Sequence, residues 1–146
     1  MRLLMATLAD FATVREGLLT VVSAGLTQFF QAEYPAEVGF MLAGMLDIEP
    51  VAGGDIKVPF SVVLSDADGE EIWRGSSTIA GRFNDTVDLS MPSYVPITVV
   101  VRALIPREGQ YLVTLTVAGL DPTVLPIRAV KVPAPETASD ESPNLG

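Results

Sequence analysis

The chain has 146 residues, with no histidine, no cysteine, 18 acidic against 9 basic side chains and a net charge of -9. Those counts exclude disulfides, zinc-thiolate centres and imidazole or thiol catalysis, and they disfavour nucleic acid and anionic membranes, both of which need basic clusters. With 49% hydrophobic and only 18% charged residues, against about 25% charged in an ordinary soluble domain, the apolar surplus must fill doubly buried strands or a face covered by a partner.

In chain order, Leu3 to Leu8 reads as a first strand and Asp10 to Gly17 as a connection to Leu18–Ala24, whose β-branched residues favour strand over helix. The opening Met1 to Ala9 looks like a short leader, but Asp10 ends the apolar run early. The longest uncharged stretch, Gly17 to Ala32, is shorter than the roughly 20 residues of a membrane-spanning helix, so no membrane insertion is expected. Leu26 to Pro35 is mixed, and Pro35 ends it.

Val38 to Ile48 is apolar on both alternation sets, with Val38, Phe40, Leu42, Leu46 and Ile48 on one and Met41, Ala43 and Met45 on the other. Such a strand is central, or its second face meets a partner. Either Leu26 to Pro35 covers Met41 and Met45, or these two flexible side chains belong to a contact surface.

Gly53-Gly54-Asp55 turns the chain into Val58 to Leu64, where Phe60, Val62 and Leu64 point inward and Ser61 and Ser65 outward. A turn at Asp66-Ala67-Asp68-Gly69 leads to Glu71 to Ile79. Phe83 to Leu89 reads as a weak strand, Met91 to Pro96 as a crossing loop, and Ile97 to Ile105 as a strong strand. Tyr111 to Val117 alternates cleanly, and Val124 to Val132 closes the series. Short strands at hairpin spacing predict an all-β fold, a single antiparallel β-sandwich of immunoglobulin-like or C2-like type over residues 1–132. Residues 133–146 read as a disordered acidic tail.

Ala9-Asp10-Phe11-Ala12 with Val14, Glu16-Gly17-Leu18-Leu19-Thr20-Val21 and Ala24-Gly25-Leu26-Thr27 resemble the opening of an uncharacterised family of small bacterial β-sandwich proteins. Glu108-Gly109-Gln110-Tyr111 and Leu125-Pro126-Ile127-Arg128-Ala129-Val130 are similar to its close. The resemblance implies the fold over about residues 1 to 132 and no activity.

Among candidate sites, Asp66, Asp68, Glu70 and Glu71 surround one turn and offer oxygens of the kind calcium takes. They lack the ligand spacing of an EF-hand loop, and the simpler reading is a soluble hairpin turn. Asp85, Asp88 and Asp121 join a metal site only if the fold gathers them. Trp73 is either core or a stacking platform for sugar or protein. Asn84-Asp85-Thr86 matches a glycosylation sequon without a secretory context. No nucleophile elbow, Ser-x-x-Lys motif or phosphate loop occurs, and two carboxylates flanking a cleft are the one hydrolytic arrangement left.

The expectation is a non-enzymatic interaction or structural subunit, protein-binding or self-associating, with Met41 and Met45 at the contact. The alternative is a calcium-dependent or carbohydrate-binding module using Asp66 to Glu71. No catalytic, cofactor or metal-ligating residue is assigned, and a reducing cytoplasm is the expected location.

Overall fold

Period-two alternation decides which side chains each strand buries, and two sheets closing over those faces make the core. A computed structural model describes residues 1–134. The strands are β1 (Arg2–Arg15), β2 (Leu18–Ala24), β3 (Gln28–Gln31), β4 (Ala36–Ile48), β5 (Asp55–Asp66), β6 (Glu71–Arg82), β7 (Ser93–Ile105), β8 (Gly109–Val117) and β9 (Thr123–Lys131). They form one sheet in the order β2-β1-β4-β7 and a second in the order β3-β9-β8-β5-β6. All pairs are antiparallel except β3 with β9, which is parallel.

Leu42, Leu46, Val101 and Ile105 from the first sheet meet Val62, Leu64, Val113, Leu115 and Ile127 from the second, all essentially without exposure. Truncating one of these leucines to alanine costs about 2–5 kcal/mol. The all-β sandwich read from the sequence is therefore the fold. Among the described residues no helix is long and apolar enough to cross a membrane.

Three segment readings are corrected. The first strand does not stop at Leu8: Asp10 to Arg15 continues β1, pairing with β2 from Phe11↔Val22 to Arg15↔Leu18. The turn is Glu16-Gly17 alone, both at positive φ (54° and 75°), the backbone of a tight hairpin whose twist matches its strands.

Phe83 to Leu89 is not a strand. The Asn84 carbonyl accepts from the N–H of Val87 (3.2 Å) and of Gly53 (3.3 Å), and the Phe83 N–H donates to Gly54 (2.9 Å). The segment is thereby tied to the preceding loop instead of to a sheet edge.

Met91 to Pro96 is only partly a loop, because β7 starts at Ser93 and includes Pro96 opposite Met45. β7 is an edge strand, where a missing backbone donor is tolerated. The expected tail lies outside the described residues apart from Pro133 and Ala134, which follow the last strand.

Candidate functional site

On β4, even-numbered residues from Val38 to Leu46 face the core and Met41, Ala43 and Met45 face away from it. The Leu26 to Pro35 segment does not cover them. β3 joins the opposite sheet beside β9, and its Phe29 turns inward to stack on Phe40, with ring centroids 6.5 Å apart. Among the described residues nothing roofs the outer face of the β2-β1-β4-β7 sheet.

The register sets apolar side chains side by side on that face, interrupted by Thr7 and Thr98 on either side of Ala43 and by Thr13 opposite Thr20. Ala24 lies opposite Ala9, Ala9 opposite Met41, and Met41 opposite Val100; Val22 pairs with Phe11, and Met5 with Met45, which is opposite Pro96. Ala9 and Ala43 are fully buried although they are on the outside, because longer neighbours close around them. Leu18 and Leu104, at 71% and 62% exposure, are open to solvent at the β2 and β7 ends. The other sheet differs in its β5, β6 and β8 part, where Ser61, Ser65, Ser76, Thr78, Thr114 and Thr116 project from the outer face, while Phe30 and Val124 are exposed on β3 and β9. Hydroxyl side chains suit a face in contact with water.

A groove of about 550 Å³ opens into the apolar face, lined by Asp10, Phe11, Glu37, Gly39, Met41 and Arg102 among others. It exists because β1 and β4 separate. Their pairing ends at Ala9↔Met41, after which β1 pairs only with β2 and β4 only with β7. The Ala12 N–H, beyond the end of the pairing with β4, donates to the Met41 Sδ at 3.1 Å. Gly39 keeps the floor low, since a Cβ there would meet only Arg102 Cγ and the Val101 carbonyl, both near 4 Å. Glu37 and Arg102 are exposed, and neither forms an ion pair within the chain among the described residues.

The acidic turn has another task. Asp66 is 3% exposed, and its Oδ1 accepts from the N–H groups of Asp68 and Glu70, each at 2.9 Å. Its Oδ2 faces Arg107 Nη2 at 3.3 Å. The carboxylate is committed to holding the turn, and the described residues contain no cluster of three or more acidic groups placed to hold a metal ion.

Asp88 caps its own turn through the hydroxyl (2.6 Å) and N–H (2.9 Å) of Ser90. Those two bonds, the hydroxyl first, hold its carboxyl below the usual value. Asp85 packs against the Gly53 backbone and Asp121 is exposed in the β8–β9 turn, so these carboxylates do not converge. The carboxylates in the large groove, Asp10 and Glu37, are exposed and lack the apolar enclosure in which a carboxyl becomes a general acid.

Trp73 pairs with Leu64 on the inner side of β6 and packs against the core, its ring lying over Gly75. It is not a free platform. What the sequence reading missed is the groove and the exposed β1–β2 arm beside it. The alternation of Ala9, Phe11, Thr13 and Arg15 up to Glu16-Gly17 was the available signal for the arm.

Residues 4–130 match a family of unknown function, DUF6941. The chain belongs to this family. The match spans all nine strands in whole or in part, so both sheets and the apolar face belong to the family domain. No curated protein matches the chain significantly.

Solved structures that align with the chain include the C-terminal domain of Wzt, at 8% identity and a TM-score of 0.49, covering 90% of this chain and 74% of that one. A β-glucuronidase from glycoside hydrolase family 2 aligns at 13% identity and a TM-score of 0.48 over 63% of this chain. A putative β-galactosidase from Bacteroides fragilis aligns at 11% identity and a TM-score of 0.42 over 70% of this chain. The aligned regions amount to 10% and 15% of those two larger chains.

Proposed function

We propose that this member of the DUF6941 family is a non-enzymatic domain that holds a protein against the outer face of its β2-β1-β4-β7 sheet. The observation that carries the reading is the asymmetry between the two outer faces. One presents Phe11, Leu18, Val22, Val100 and Leu104 to solvent, whereas the other sets serine and threonine along β5, β6 and β8 and exposes Phe30 and Val124 at its β3–β9 side. Packing inside the domain does not need these exposed apolar side chains, and burying them against a partner is favourable at roughly 25 cal/mol per Å² of apolar surface. The lack of histidine and cysteine and the structural commitment of Asp66 support a role without catalysis.

The test is a photo-crosslinking side chain placed at Val100 and, separately, at Thr116 on the opposite outer face. Protein adducts in cells are expected from position 100 and not from position 116. Equal labelling at the two positions overturns the proposal.

A further inference from the structure

The partner's chemistry can be read from the charges on the same face. The outer face of the β2-β1-β4-β7 sheet carries Arg2, Arg15 and Arg102 against Glu37 and Asp47, with Asp10 alternating to the other side between Ala9 and Phe11, so the face has no negative excess. The whole chain carries -9, so the excess negative charge lies outside this face. Two such acidic chains repel through most of their surfaces, but not through this one. At physiological salt, charges beyond about 8 Å are largely screened, so the local balance decides.

Glu37 and Arg102 border the groove around Gly39, opposite in sign, exposed and without an ion pair in their own chain among the described residues. A two-fold axis through such a site sends each residue to its opposite on the other copy, satisfying both pairs at once. Exposed area points the same way. Met5, Phe11, Leu18, Val22, Val100 and Leu104 are each between 40% and 71% exposed. Together they offer on the order of 600 Å² of surface, the lower end of the roughly 600–1,000 Å² per partner in a standard interface.

Resting on the contact-face reading above, we infer that the occupant of this face is a second copy of the chain, docked about a two-fold axis with reciprocal Arg102–Glu37 contacts across the groove. The β1–β2 arm then packs its exposed side chains on the partner instead of on solvent. This removes the cost of a two-stranded ribbon that is apolar and uncovered.

The experiment is light scattering and sedimentation on the purified full chain over about 1–100 µM, the range in which a standard-size interface is measurable. The wild-type chain is expected to be a dimer. Arg102→Glu and Glu37→Arg each put like charges together and should weaken association about tenfold or more, and the double swap Arg102→Glu with Glu37→Arg should restore it. Both side chains are exposed, so the melting temperature of the dissociated chain should be unchanged. A wild-type chain that stays monomeric, or a double swap that fails to recover association, overturns the inference.

The crosslinker at Val100 separates this inference from the one beneath it. An adduct of two identical chains supports the dimer. Adducts with a different protein exclude the second copy and leave the contact face standing, while the absence of any adduct removes both.

Discussion

The backbone N–H of Ala12 donates to the thioether sulfur of Met41 at 3.1 Å, across the gap where β1 has left β4. Sulfur is a weak acceptor, and here it substitutes for the carbonyl that a continued ladder would have provided. The Met41→Leu variant keeps the volume and removes the acceptor. Its stability should fall by less than about 1.5 kcal/mol, while the Ala12 amide should exchange with solvent measurably faster. Unchanged exchange at Ala12 would mean that the sulfur contributes no protection.

Asp66 separates a turn function from a metal function. Asp66→Ala leaves the N–H groups of Asp68 and Glu70 without their acceptor and should cost about 2–3 kcal/mol in urea denaturation. Asp66→Asn keeps an oxygen for those donors and should lose less, because the Arg107 side chain it faces is 60% exposed and such pairs contribute about 0–1 kcal/mol. Millimolar calcium should leave the melting temperature of the wild-type chain unmoved. A clear rise would show that the turn opens to bind the ion.

Gly75 makes room for Trp73. A Cβ at position 75 would lie 2.6 Å from the Trp73 Cη2, so Gly75→Ala must push the ring away from its place against the core. The expected outcome is a loss of about 1–3 kcal/mol with a red-shifted tryptophan emission. As Trp73 is the chain's one tryptophan, the spectrum reports this site alone.

The Tyr34 hydroxyl donates to the Val130 carbonyl at 2.9 Å, tying the loop after β3 to β9. Burial, then the nearby Glu108 and Tyr111, raise its pKa above the usual 10.0. The folded chain therefore holds this proton to higher pH than the unfolded chain. The stability this contributes is complete below pH 10.0 and is lost as pH rises through the raised folded value. Thermal melts across that range should fall more steeply for the wild-type chain than for Tyr34→Phe, and parallel curves would remove Tyr34 from the alkaline response.

Much of the architecture was legible locally. The alternation from Tyr111 to Val117 placed Tyr111, Val113, Leu115 and Val117 in the core, and the double alternation of Val38 to Ile48 separated Leu42 and Leu46 from Met41 and Met45. A period of two follows from the pleat itself and needs no knowledge of the rest of the fold. Phe83 to Leu89 shows the limit: its residues allow a strand, and only hydrogen bonds to the Gly53-Gly54 loop make it a turn.

The sequence by itself determined an all-β chain, its main inward side chains, the absence of imidazole and thiol chemistry, and the existence of a strand with two apolar faces. Only the tertiary structure decided what lies over the second face. The residues of β3 are compatible with covering β4 from outside or with extending the opposite sheet. The pairing of Gln28–Gln31 with β9 chose the latter and left Met41 and Met45 on an open face. The groove beside Gly39 likewise depends on where β1 stops pairing with β4. Side-chain pattern records which residues share a face, whereas strand order and the end of a ladder are set by contacts between segments far apart in the chain, which no local pattern encodes.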